Sequence, residues 1–243
     1  VSRTNTSVES MTVHLVEDRR SVVSQWGLGN SKLGDRVYTF SRLPGRDNTC
    51  PGSTHACEVA CYAKRMYTDA NGLRNLFHRN THEPDLSGLP EDAEIVRMHV
   101  SGDFDTVAYI DQWIKLVRER RDVRFFGYTR SWAVPGLLHA LNELRAHINV
   151  QLFASVDEDH SHAARQALVS QGWRLAWMGV DLVPGIEPSP EQLVDQTFLS
   201  KNKITSVRSS AVMCLEATGT RDNCEACGYC FNGQRGDVVF PIH

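Results

Sequence analysis

The sequence predicts an α/β protein of parallel strand–helix repeats, folded as a partial (β/α)6 TIM-like barrel with a C-terminal cysteine-rich metal loop. Three observations predict it. Apolar strand-like runs begin near residues 94, 123, 149 and 174. A helical run follows each of the first three, and that step is the length of a βα unit. Polar residues stand directly after the strands, where parallel α/β folds place their ligand sites.

The elements follow in order. Residues 1–35 are polar, apart from short apolar stretches at Met11–Val16 and Val22–Trp26. Val37-Tyr-Thr-Phe40 reads as a strand and runs into a Pro/Gly loop that leads to Cys50. Glu58–Tyr67 reads as a helix, and Ala70–Asp92 as turn-rich loop or irregular helix. Glu94–Val100 is a strand, followed by a helix with Val107, Ile110, Trp113, Ile114 and Val117 on one face. Val123–Thr129 is the next strand, and its helix carries Val134, Leu137, Leu138, Leu141 and Leu144. Asn149–Val156 leads to a helix through Ala163, Ala164, Ala167 and Leu168. Arg174–Val180 leads to a short helix near Glu191–Phe198, and Asp237–His243 closes the chain as a strand. The pattern describes a single domain over residues 1–243, with a repeat core at 29–200 and a cysteine-rich segment with the final strand at 207–243.

Composition limits the classes of function. Hydrophobic residues make up 41% and charged residues 23%, which excludes wholesale disorder. A net charge of −3 gives no electrostatic case for strong binding to nucleic acid or anionic membrane. The local basic stretch Arg118-Glu-Arg-Arg121 is the exception, and a nucleic-acid contact through Arg118–Arg124 is the weakest of the readings. No apolar run approaches a membrane span, and the N-terminal residues lack a leader pattern, so a cytoplasmic protein is expected.

In a reducing compartment seven cysteines are not a disulfide framework. Three fall within Cys50–Cys61 and four within Cys214–Cys230, and two clusters of a soft ligand point to metal. In Cys224-Glu-Ala-Cys227-Gly-Tyr-Cys230, three thiolates at this spacing suit the corners of a [4Fe-4S] cubane, with Cys214 as a fourth ligand. A closed structural zinc site is the alternative. Cys50, Cys57 and Cys61 are only three, so a cubane held there keeps one iron open. A helix starting near Cys57 would aim backbone amides at such a cluster. Zinc completed by His55, or plain buried thiols, are the alternatives there. One cluster drawing on both groups also remains open.

The strand ends supply the other candidates: His99, Ser101, Gly102 and Asp103; then Tyr128, Thr129, Arg130 and Trp132; then Ser155, Asp157, Asp159 and His160; then Asp181. Asp105 and Ser161 read as helix caps, and Asp157 as either cap or site residue. Gly102 lets a ligand approach the backbone closely, with Asp103 beside it to hold a cationic group.

These residues resemble the phage gene-product-88 domain family. The resemblance is carried by Gly29-Asn-Ser-Lys-Leu33, Thr49-Cys-Pro-Gly52, Cys57, Cys61-Tyr-Ala-Lys64, His99-Val-Ser-Gly-Asp-Phe104, Tyr128-Thr-Arg-Ser-Trp132, the C-terminal cysteine run and Phe240-Pro-Ile-His243. A wider resemblance is to radical S-adenosylmethionine (SAM) enzymes. It implies SAM chelated at Cys50, Cys57 and Cys61, its amino group received at Ser101-Gly102-Asp103, and a substrate pocket at Tyr128, Arg130 and Asp157. The cysteine spacing departs from that pattern, with six and three intervening residues instead of three and two. The expectation is therefore a redox enzyme of this kind, acting with an electron donor on a small-molecule substrate, with Cys214, Cys224, Cys227 and Cys230 holding a second cluster. The alternative is a phage binding or regulatory protein stabilised by iron–sulfur or zinc.

Overall fold

The computed structural model describes residues 25–64, 71–157, 159–180, 196–200, 203–207, 211–233 and 236–241. Strands β1 (Gly27–Asn30) and β2 (Gly34–Thr39) form an antiparallel pair. Four parallel strands follow, β3 (Ile95–Arg97), β4 (Arg124–Thr129), β5 (Val150–Val156) and β6 (Arg174–Val180). A separate hairpin joins β7 (Gln196–Ser200) to β8 (Lys203–Val207). Strands β9 (Val212–Met213) and β10 (Val238–Pro241) complete the main sheet. Its order is β1-β2-β3-β4-β5-β6-β10-β9, parallel from β2 onward.

The helices are α1 (His55–Val59), α2 (Asn71–His82), α3 (Val107–Glu119), α4 (Pro135–Arg145), α5 (His162–Ser170) and α6 (Cys224–Cys227). Successive strands β2 to β6 lie side by side with helices between them. Right-handed crossovers in one direction put those helices on a single face. Side chains alternate across the strands accordingly. Val96, Met98, Phe125, Leu152, Ala154, Leu175, Trp177 and Val239 join α3, α4 and α5 in the main core around fully buried Trp113. The intervening Ile95, Phe126, Phe153, Ala176 and Val238 face the other way, where Phe231 and the C-terminal cysteines cover them.

The α/β class and the parallel repeats stand as expected. The sheet ends at β1 and β9 without pairing them, so among the described residues it is an eight-strand open sheet. Three local expectations are sharpened or corrected. Asn71–His82 is a regular helix within the stretch expected as turn-rich loop or irregular helix; Phe77 and Asn80 are buried, and Asn80 donates to the Gln25 and Ser41 carbonyls. The helix expected over Glu58–Tyr67 is interrupted: α1 begins earlier, at His55, and ends at Val59, residues 62–64 are helical again, and residues 65–67 lie outside the described residues. The end of the helix expected at Glu191–Phe198 is strand, since Gln196 and Phe198 pair with Val207 and Thr205. The rest of that helix lies outside the described residues, as do Met11–Val16 and Asp181. No helix among the described residues is long and apolar enough to cross a membrane.

Candidate functional site

The loop after β2 is anchored at both cysteine-bearing ends. Thr49 is buried; its hydroxyl donates to the Leu43 carbonyl at 2.7 Å and accepts from the Asp103 amide at 3.2 Å. Gly45 N–H reaches the Cys50 sulfur at 3.4 Å. Gly52 lies so close to β4 that a Cβ there would stand 2.1 Å from the Arg130 carbonyl oxygen. Thr54 caps α1 by accepting from the Cys57 amide at 3.1 Å, and Asp159 accepts from the Ala56 amide at 2.8 Å. The α1 amides expected to face a cluster are therefore engaged by Thr54 and Asp159. His55 is exposed.

Three strand ends meet beside this loop. Asp157 is buried and anionic: its Oδ2 accepts from Thr54 at 2.6 Å and from Arg130 Nε at 3.1 Å, and its Oδ1 faces His160 Nδ1 at 3.1 Å. Burial alone would raise its pKa, but His160, Arg130 and Thr54 together hold it down at about 2. Asp103 presents no free carboxylate. Its oxygens accept from the Arg130 and Phe104 amides, both at 2.8 Å, while burial pushes its pKa up. Ser101 donates to the Arg42 carbonyl at 2.8 Å. Gly102 takes φ +81°, and a Cβ there would meet Thr49 and Arg42. Ser101, Gly102 and Asp103 thus lock the ends of β2, β3 and β4 together. Asp105 does not cap α3: Thr106 does, while Asp105 pairs with buried Arg42 at 2.7 and 3.0 Å. Ser161 caps α5 as expected.

The second cysteine group lies on the sheet face opposite the helices. Asn223 caps the single turn α6 by accepting from the Ala226 amide, and Gly228 ends it at φ +69°. The Cys224 and Glu225 amides donate to the Lys32 and Leu33 carbonyls, both at 2.9 Å, which pins the turn to the β1–β2 connection. Cys214, Cys224, Cys227 and Cys230 line one cavity together with Lys32, Arg97, Tyr128, Glu216 and Phe240. Tyr128 therefore faces these cysteines, whereas Arg130 and Asp157 face the loop. The three side chains expected to share a substrate pocket are separated along the strand direction: Tyr128, within β4, lines the C-terminal cysteine cavity, while Arg130 and Asp157 stand just past the ends of β4 and β5 beside the Cys50–Cys61 loop.

All seven cysteines are free thiols. Burial pushes Cys50 and Cys230 up to about 12 and Cys224 up to about 11, and raises Cys57. A bound metal cation reverses that preference, since the ligand is the thiolate. Among the described residues no three His, Cys, Asp or Glu side chains close on a single ion. The basic stretch is largely committed within the protein. Arg118 pairs with Glu143 at 2.7 Å, Arg120 binds Asp122 and the Pro90, Glu91 and Ala93 carbonyls, and Arg124 donates to Asn232 at 2.6 Å.

Arg42, Gly52, Thr54 and Arg97 carry no pattern of their own in the sequence.

Fold and site define an α/β protein with a mostly parallel sheet and two separate cysteine groups, one at the strand ends and one on the face opposite the helices. The chain belongs to the gene product 88 family, whose description, Gene product 88, matches residues 20–233. It is 24% identical to the Gene 88 protein of Mycobacterium phage D29 over 233 residues, covering 87% of this chain and 89% of that protein. It is 25% identical to the Gene 88 protein of Mycobacterium phage L5 over 237 residues, with the same coverage. No solved structure matches significantly.

Proposed function

We propose that this phage-family protein is an iron–sulfur protein, with a closed cluster at Cys214, Cys224, Cys227 and Cys230. One observation carries the reading: four soft ligands from two stretches of chain line a single cavity. The donor set fits, because all four sulfurs are free and two of them sit one helical turn apart on capped α6.

The same proposal gives the reactive role to Cys50, Cys57 and Cys61, at the carboxyl ends of parallel strands in a radical-SAM-like partial barrel. A cluster there would supply one-electron reduction of the SAM sulfonium, with an external low-potential donor, releasing methionine and a 5′-deoxyadenosyl radical. Arg130 and Asp157 orient the cysteine loop through Thr54 and also border any substrate held above it. Asp103 holds the strand ends in register, and a SAM amine would have to share it with two backbone amides.

Zinc is the second reading, favoured by the Cys224-x-x-Cys227 spacing across one capped turn, which is a spacing zinc sites use. Anaerobic purification with iron, sulfide and zinc counts tests both. Two cubanes give about eight irons per chain and one gives about four. 5′-Deoxyadenosine formed after reduction with dithionite, and lost in Cys57→Ala, supports the SAM chemistry. A full iron complement with no SAM-induced change in the EPR signal sinks that part alone.

A further inference from the structure

We infer that Arg97 is the counter-ion of the centre held by Cys214, Cys224, Cys227 and Cys230, and that Arg97 with Tyr128 sets its reduction potential. The inference rests on reading that site as an iron–sulfur centre.

Arg97 ends β3 with its side chain on the cysteine face, beside Tyr128 of β4. Its guanidinium carbon stands 5.3 Å from the Tyr128 ring centroid, and its Nε donates to the His99 carbonyl at 3.1 Å. The other guanidiniums at these strand ends each have a carboxylate: Arg42 has Asp105 and Arg130 has Asp157. Among the described residues no carboxylate pairs with Arg97. The groups around it that can carry negative charge are Cys224, Cys230, Tyr62 and Tyr128. Partly buried cations need compensation, and of these groups only a metal-bound thiolate carries charge at neutral pH.

The rest of the cavity wall is close to balanced. Lys32 pairs with Glu216 at 3.1 Å, and both line the cavity. The charge of Arg97 is thus directed at the sulfur ligands. Tyr128 lines the same cavity as Cys230, and Phe153 and Phe240 pack on its ring at 5.3 and 5.2 Å. A four-thiolate centre is anionic, and taking up one electron makes it more so. A fixed cation and a phenolic hydroxyl able to donate in the cavity wall both favour the reduced state and raise the potential. Their low-dielectric surroundings strengthen the effect.

The test uses the full-length chain with Cys50, Cys57 and Cys61 changed to Ala, so that only the C-terminal centre is loaded. Iron content and midpoint potential are measured anaerobically by EPR-monitored titration. Arg97→Gln and Tyr128→Phe should each retain iron and shift the potential downward, and Arg97→Lys should stay near the parent. Full iron with an unmoved potential in Arg97→Gln overturns the inference while leaving the iron–sulfur reading intact. If Arg97→Gln loses iron, Arg97→Lys decides: restored iron supports the charge role, and continued loss overturns it. No iron in the parent overturns the reading of the site and the inference together.

Discussion

Asp157 gathers Thr54, Arg130 and His160 onto one carboxylate at the end of β5. Its pKa of about 2 lies below the roughly 3.9 of an unfolded aspartate. The stabilisation is therefore fully present above about pH 4 and is lost as the pH falls towards 2. Asp157→Asn should cost on the order of 2 kcal/mol at neutral pH and flatten the stability curve across that window, as read by urea unfolding at a series of pH values. Gly52 has a different physical role, because its missing Cβ lets the cysteine loop touch the Arg130 carbonyl. Gly52→Ala should destabilise the fold by roughly 1–3 kcal/mol through overpacking, measured by thermal unfolding. Asp157 was visible in the sequence because it follows a strand. Gly52 was not, since a close approach between distant backbones leaves no local pattern.

Helix α1 has five residues, too few to persist alone in water. It exists because Thr54 and Asp159 satisfy its first amides. Thr54→Ala should cost about 1 kcal/mol and speed maleimide labelling of Cys57; an unchanged labelling rate would show that the cap does not position that cysteine. Strand β10 depends on buried Asp237 in the same way. Its carboxylate accepts from the Leu175 amide at 2.9 Å and its carbonyl from the Val212 amide at 2.9 Å, joining three strands. Asp237→Ala should lower stability by a few kcal/mol, since buried donors lose their acceptor; calorimetry would measure it. The strongly periodic helices α3 and α4 were legible. Helix α2 was legible only as one of two alternatives, loop or irregular helix, because Asn71-Gly72 and scattered polar residues look like a turn until Phe77 is buried and Asn80 finds its carbonyl partners.

Across the whole molecule, the helices cover one face of the sheet and the C-terminal segment covers the other. Phe231 packs on Phe126 at 5.3 Å, and Gln151 binds the Tyr229 carbonyl and the Gly233 amide. A metal centre at the four cysteines would fasten that cover. Its removal by a chelator should increase hydrogen exchange in residues 211–233 while the Trp113 core under α3 and α4 stays protected. Equal protection before and after removal would mean that metal does not hold the segment.

The amino-acid sequence by itself determined the βα periodicity, the α/β class and the two cysteine groups, because these are properties of spacing along the chain. Only the tertiary structure decided that Tyr128 faces the C-terminal cysteines while Arg130 and Asp157 face the loop. It also decided that Asp103 is already engaged and that Arg97 stands beside four sulfurs. The physical reason is that a side chain's partners depend on where along its strand it stands as well as on its parity, and what covers each face and each strand end comes from far along the chain.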